Sequence, residues 1–365
     1  RGQQSHLPSK NYLGLHFEDD YLFAGNADEQ YSGGLELEYV RSISRKEGND
    51  FYNWYKPQSR FFNPHKSKQF MLVFNAGFQV FTPEDISDSM IISTDRPYAS
   101  YTYVSGGWQS YDDHFQRQLR VQLYLGVLGS DFPGKFQTKV HEIVPSPRPN
   151  GWDHQIGDGI QFAPNIHFNF QRNHLTLGKS KKRKDFSWVQ IGNMYEVNAG
   201  LYMTNLAYGL KFSFINFRSK LGLIIDPDIP TLALSKQEYE DFRMEKYRQK
   251  IEDEKDAASR DKLKNKLNKK EKVYDRKGVS FNIFFLPQVK YVVHNSTLQG
   301  SLIGTNVYKL SGRDIKRYVW NLEGGLNFSA GALNVSYIVQ ARTQEFKFYA
   351  KNWHTFAGIA LGFTF

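Results

Sequence analysis

Three short stretches of this chain concentrate side chains able to move protons or hold a hard cation. The first, His16-Phe17-Glu18-Asp19-Asp20-Tyr21, crowds three carboxylates into consecutive positions. Such carboxylates repel one another unless a cation or buried donors compensate, and all-oxygen clusters suit Ca2+ or Mg2+. A wet acidic face would give the same run of letters. The second, Asp28-Glu29-Gln30-Tyr31-Ser32-Gly33-Gly34, is a turn with a hydroxyl at the base of the next segment. Turn serines are common, so Ser32 by itself specifies no role. The third is Gln137-Thr138-Lys139-Val140-His141, followed by the proline-rich stretch 145–155 that contains Trp152. A lone histidine is usually a polar surface group, but prolines flanking a tryptophan predict a rigid loop, and function gathers on rigid loops. An acid cluster, a hydroxyl and an imidazole are the parts that metal-assisted ester hydrolysis needs.

The elements that must position these groups alternate with period two. At the end of the chain, Ala357, Ile359, Leu361, Phe363 and Phe365 are apolar, with Gly358, Ala360, Gly362 and Thr364 between them. Leu333, Val335, Tyr337 and Val339 alternate with Asn334, Ser336, Ile338 and Gln340, and Leu210, Phe212 and Phe214 alternate with Lys211 and Ser213. Leu35, Leu37 and Tyr39 alternate in the same way with Glu36 and Glu38. Carboxylates and lysines in such a pattern are costly against lipid but normal against a wet lumen. Candidate strands fall near 12–24, 32–45, 69–82, 99–112, 115–129, 160–171, 187–200, 206–217, 279–293, 315–328, 331–346 and 354–365. About twelve strands is an even number, as single-chain bacterial barrels require. The fold expected is all-β: one closed antiparallel transmembrane barrel of about twelve strands, with both chain ends on the periplasmic side.

Composition agrees. Aromatics make up 16% of the 365 residues while charged residues are only 23%, and no apolar run is long enough for a membrane helix. With no cysteine, disulfide and thiol chemistry are excluded. The chain opens Arg1-Gly2-Gln3-Gln4 without a signal-like apolar stretch, so an exported protein is expected to have lost its leader already. The net charge of +10 is gathered at 179–184 and 262–277 rather than spread, which points to anionic headgroups or protein partners and not to nucleic acid. Residues 235–277 break the pattern: they are mostly charged, with Tyr239, Phe242, Tyr247 and Ile251 at helical spacing. The chain therefore divides into barrel strands one to eight with the site loops (1–217), a charged insertion (218–278) expected to be helical and periplasmic, and strands nine to twelve (279–365). A disordered charged loop is the alternative for the insertion. If helical, 235–277 presents a narrow apolar stripe suited to docking another envelope protein.

Several segments resemble the lipid A 3'-O-deacylase family. They are Glu18-Asp19-Asp20-Tyr21-Leu22-Phe23 with Tyr31-Ser32-Gly33-Gly34-Leu35, then Asp95-Arg96-Pro97-Tyr98-Ala99, then Leu125-Gly126-Val127-Leu128-Gly129. His141, Gly151-Trp152-Asp153-His154-Gln155 and Asn295-Ser296-Thr297-Leu298-Gln299-Gly300 follow in the family's order. The resemblance spans nearly the whole chain apart from the charged insertion. It implies an outer-membrane barrel that acts on lipid A of lipopolysaccharide at the outer-leaflet edge. It further implies a calcium-assisted hydrolysis in which His141 is the general base for water, Asp19 and Asp20 lie at a Ca2+ that polarises the ester carbonyl, Ser32 orients water or substrate, and Gln137 shapes the site. Ser32 as an acyl-accepting nucleophile is the alternative role. The chain departs from the family's pattern at Asp19, where Asn is usual, and at 147–149, where some members carry an acid. A barrel of this kind that has lost catalysis and serves as a subunit of a larger outer-membrane complex is the second functional expectation.

Overall fold

The computed structural model describes residues 11–22, 29–43, 67–112, 117–144, 146–157, 159–178, 186–217, 251, 254, 256, 258–265, 279–330 and 332–365. Twelve long strands form the wall: β1 (Asn11–Asp19), β2 (Gln30–Ile43), β3 (Ser67–Thr82), β4 (Ala99–Asp112), β5 (Arg117–Leu128), β7 (Asn165–Leu177), β8 (Phe186–Gly200), β9 (Met203–Phe217), β10 (Val279–Asn295), β11 (Tyr318–Ala330), β12 (Leu333–Thr343) and β13 (Trp353–Thr364). The two-residue β6 (Gln161–Phe162) pairs only with the end of β5. Every wall pairing is antiparallel, and β1 pairs with both β2 and β13. With β4 on β5 and β5 on β7, the ring is closed. Asn11 and Phe365 exchange two backbone hydrogen bonds of 2.9 Å, so both termini of the wall meet at one rim. At the opposite rim lie the connections β1–β2, β3–β4, β5–β7, β10–β11 and β12–β13, together with the two-residue turn between β8 and β9.

The alternation seen in the sequence becomes two faces. Leu13, Leu15, Leu37, Val104, Leu361 and Phe363 are exposed outward, while their neighbours Tyr12, Glu38, Ser105 and Ala360 are buried inward. The inward groups satisfy one another. Arg120 donates from Nε to Gln122 Oε1 at 2.5 Å and lies 3.3 Å from Glu38 Oε1. Gln122 in turn donates to Asn75 and Ser105, each at 3.2 Å, and Lys211 donates to Gln171 at 3.0 Å. These buried charges are tolerable because each is paired or hydrogen-bonded. Near the rim opposite the termini the lumen is crossed by aromatics. Tyr202, in the β8–β9 turn, stacks on Tyr101 with ring centroids 3.6 Å apart and reaches Gln79 of β3 with its hydroxyl.

The strand count expected from alternation is borne out, with shifted bounds at some strands. β1 stops at Asp19 because the next residues form a bend, and the segment expected at 160–171 is displaced to Asn165–Leu177. Of the insertion expected at 218–278, residues 258–265 are helical, and all but a few of the others lie outside the described residues. Leu15 pairs with Leu37 and Leu361 on the outward face. Leu15→Arg is expected to cost about 2–4 kcal/mol in urea unfolding from vesicles. A cost below about 1 kcal/mol would remove Leu15 from the lipid-facing band.

Candidate functional site

The crowded acids of the first motif are separated by strand geometry. On β1 alternate side chains point to opposite faces, so Glu18 turns into the lumen, where it accepts the Tyr31 hydroxyl. Asp19 turns outward, beside Gly33 of β2. A Cβ built on Gly33 would meet Glu18 O at 2.7 Å and Asp19 Oδ2 at 3.6 Å, and its φ of +152° disfavours any side chain there. Asp19 Oδ1 accepts the Tyr21 N–H at 2.8 Å. Asp20 follows at the bend, fully buried, and its Oδ2 accepts the Glu29 N–H at 2.8 Å. Glu29 is itself gripped by Lys351 Nζ at 2.7 Å and by the Tyr349 hydroxyl at 3.2 Å. Burial opposes the charge on Lys351, but the bond and charge of Glu29 outweigh it and hold the ammonium above its usual pKa.

A bulge between Tyr31 and Gly33 leaves Ser32 out of register with β3. The buried Ser32 hydroxyl shares a 2.5 Å hydrogen bond with Thr82, the last residue of β3. Gln137 and His141 are carried by helix α1 (Asp131–Ile143), which follows β5 and packs against β3 and β4. Phe132 and Phe136, one turn apart, meet the ring of Phe78 on β3, with centroids 5.4 and 5.2 Å away. Phe78 shares its strand face with the exposed Phe74, so α1 lies on the outer side of the wall. The entry to the helix is pinned where Ser100 donates to the Ser130 carbonyl at 2.9 Å. Gly134 is required because a Cβ there would meet the Trp152 ring at 2.7 Å. Trp152 also contacts Tyr98, and its Nε1 donates to Gln137 Oε1 at 3.2 Å.

That bond uses the acceptor of Gln137; its buried Nε2 has no partner among the described residues. Such a donor takes its partner from water or from a bound group. His141 Nδ1 lies 2.6 Å from the Pro147 carbonyl oxygen. A carbonyl only accepts, so Nδ1 carries the proton and Nε2 is the basic nitrogen of the neutral ring. The residues singled out in the sequence thus fall into two groups on adjoining strands of one rim. Asp19, Asp20 and Ser32 occupy the β1–β2 corner, while Gln137 and His141 ride on α1. No three His, Asp or Glu side chains gather as a metal site among the described residues.

Sequence reasoning placed Gln137 and His141 beside a loop; the structure puts them on a helix. Phe132, Phe136 and Val140 at four-residue spacing were the available signal, obscured by Pro133 and Gly134 in the first turn. A second feature joins two segments that the sequence marked only by their resemblance, without a role. Arg96 is fully buried at the rim, with Nη2 donating to Thr297 Oγ1 at 3.0 Å, Nη1 to Gln30 Oε1 at 3.4 Å, and Glu345 Oε2 at 3.5 Å. Asn295 accepts from Thr297 at 2.8 Å, and Arg342 lies 3.6 Å from Glu345. Two motifs far apart in the sequence therefore meet in one knot. Burial works against the Glu345 charge, but Arg342 and Arg96 outweigh it and hold the carboxyl below the usual range.

The family model described as "Outer membrane protein LpxR" matches residues 3–365. Among solved structures, LpxR from Salmonella typhimurium superposes with a TM-score of 0.62 at 14% identity, covering 96% of this chain and 99% of that one. The β domain of the Bordetella autotransporter BrkA gives a TM-score of 0.40 at 9% identity, covering 97% and 98%. The first of these likenesses establishes a shared fold. No curated protein matches the sequence.

Arg342 still faces Glu345 when Arg96 is removed, so Arg96→Ala, which loses one of two ion pairs and the bonds to Thr297 and Gln30, is expected to destabilise the barrel by about 1–3 kcal/mol. Because the Glu345 pKa is lowered in the folded state, its contribution is complete above the ordinary carboxylate range and is lost as pH falls through the lowered value. Urea midpoints of the wild type and Arg96→Ala, measured from neutral to acid pH, should converge in acid; a constant difference would show that the pair does not titrate in this way.

Proposed function

This chain belongs to the LpxR family and is a lipid A deacylase-like β-barrel of the bacterial outer membrane, and from that premise we propose that it hydrolyses the 3'-linked acyl ester of lipid A. The observation that carries the proposal is the 2.6 Å contact of His141 Nδ1 with the Pro147 carbonyl oxygen, which assigns the proton to Nδ1. Its Nδ1–H is committed to the Pro147 carbonyl, leaving Nε2 as the base, on a helix held against the outer wall. In the proposed reaction, water attacks the ester carbonyl while its proton passes to His141 Nε2. The tetrahedral adduct then collapses, His141 returns that proton to the departing sugar oxygen, and a free fatty acid and a 3'-hydroxyl are released. The unpartnered Gln137 Nε2 donates to the carbonyl oxygen or to the attacking water. Ser32, held by Thr82, positions substrate rather than attacking it.

A calcium ion fits the donors at the β1–β2 corner in kind. Asp19, Asp20, Ser32 and Thr82 supply only oxygen, the ligand type calcium takes. With two carboxylates at the corner, the remaining ligands would be carbonyls and water, as calcium accepts. When bound, the ion would stabilise the developing oxyanion. On this proposal the rim carrying α1 faces the outer leaflet and the termini face the periplasm.

Mass spectrometry of lipid A from cells with and without the protein is the direct test. His141→Ala should lower hydrolysis by about 10²–10⁴-fold, and chelation of calcium should abolish it. Unchanged lipid A in producing cells would favour the catalytically silent barrel instead. For 235–277 we propose docking to another envelope protein, supported by its charge and by the helix at 258–265. Deleting it should spare hydrolysis and lose a partner from membrane pull-downs; an unchanged set of co-purifying proteins would refute that role.

A further inference from the structure

Resting on the deacylase function proposed above, we propose that a furrow on the outer wall, floored by Ala76 and Gly106, seats one acyl chain of lipid A. Strand register builds it. Leu37, Ala76, Val104 and Leu125 form one cross-strand row on the outward face, and Phe74 faces Gly106 in the next row away from α1. Ala76 and Gly106 are thus diagonal neighbours. These two leave a depression of about 550 Å³ bounded by leucine, valine and phenylalanine. It is open to a side chain: a Cβ on Gly106 meets only Phe74, at 3.5 and 3.6 Å.

The occupant follows from what lies at the upper end. One row above Ala76 on the same face stands Phe78, covered by Phe132 and Phe136 of α1, the helix that carries Gln137 and His141. From Phe78 to Phe74 the strand rises roughly 13 Å, at about 3.3 Å per residue. An acyl chain with its ester at α1 would therefore run down the wall into this furrow. Bulk lipid tails are as apolar as the lining, so burial gives no hydrophobic gain there. Selection has to come from shape and dispersion contacts, which makes the two small residues the specificity-determining positions.

Gly106→Leu fills the furrow. Gly324→Leu is the control, since Gly324 on β11 faces outward on a different part of the wall and its Cβ would also meet ordinary contacts, at 3.5 and 3.8 Å. Two readouts are compared: KM and kcat on lipid A in mixed micelles, and the number of lipid A molecules retained in native mass spectrometry. Gly106→Leu should raise KM about tenfold, equivalent to about 1.4 kcal/mol, leave kcat within about twofold, and lose the retained lipid A. Gly324→Leu should resemble the wild type in both. Equal behaviour of the two variants, or retention of phospholipid in place of lipid A, overturns the furrow. If the wild type hydrolyses no lipid A the deacylase function fails, yet retention by wild type and its loss in Gly106→Leu would still support the seat. Should Gly106→Leu fail the heat-dependent mobility shift of a folded barrel, Ala76→Leu replaces it with the same expectations.

Discussion

Everything in this molecule depends on one requirement: in lipid, a backbone amide has no water to turn to, so each must be paired within the wall. The pairing of β1 with β13 meets it, from Tyr12 opposite Thr364 to Asp19 opposite Ala357. Once the sheet is closed, the side chain at each position has only two destinations, bilayer or lumen. That binary choice resolves the electrostatic problem posed by the acids of the first strand. Neighbouring carboxylates that would repel in a loop are sent to different surroundings, Glu18 to a tyrosine hydroxyl in the lumen and Asp19 to the outer corner.

The second consequence is an interior organised by charge rather than by oil. Arg120 with Glu38 and Gln122, and Lys211 with Gln171, occupy positions where a soluble protein would place leucine. Such a network is costly if half satisfied and rigid if complete. Its upper edge is tied by Arg96, which holds together the start of β2, the β3–β4 connection, the β10–β11 connection and the β12–β13 connection. The rim loops are thereby fixed relative to the wall, a precondition for any site assembled from several of them.

The alternation of Leu333, Val335, Tyr337 and Val339, and of the terminal segment, was enough to place twelve strands, because a wall between lipid and water writes its period directly into the sequence. Bounds such as Ala99–Asp112 were legible to the residue, since Pro97 and the polar residues after 112 punctuate them. Less legible were features that depend on contacts across the barrel. Nothing local to Arg96 announces that Thr297 and Glu345 will close around it, and nothing local to Gly134 announces the Trp152 ring. For the candidate site, the residue types were readable from their motifs. The helix under Gln137 and His141 was not, because Pro133 and Gly134 interrupt its first turn between Phe132 and Phe136.

The polar interior bears on where an acyl chain would lie under the proposed function. To enter the lumen an acyl chain would have to displace hydrogen bonds of Glu36, Arg120 and Lys211 and pass the Tyr101–Tyr202 stack, leaving buried charges without partners. On the outer wall the same chain exchanges one apolar neighbour for another at almost no cost. A polar headgroup has the opposite preference and needs donors and charge at the rim. Both kinds of surface adjoin at the edge of α1, with the apolar wall below Phe78 on one side and Gln137, His141 and the β1–β2 corner on the other. Under the proposed function an amphipathic substrate would be sorted by the same two-way choice that closed the sheet: chains to the wall, polar atoms to the rim.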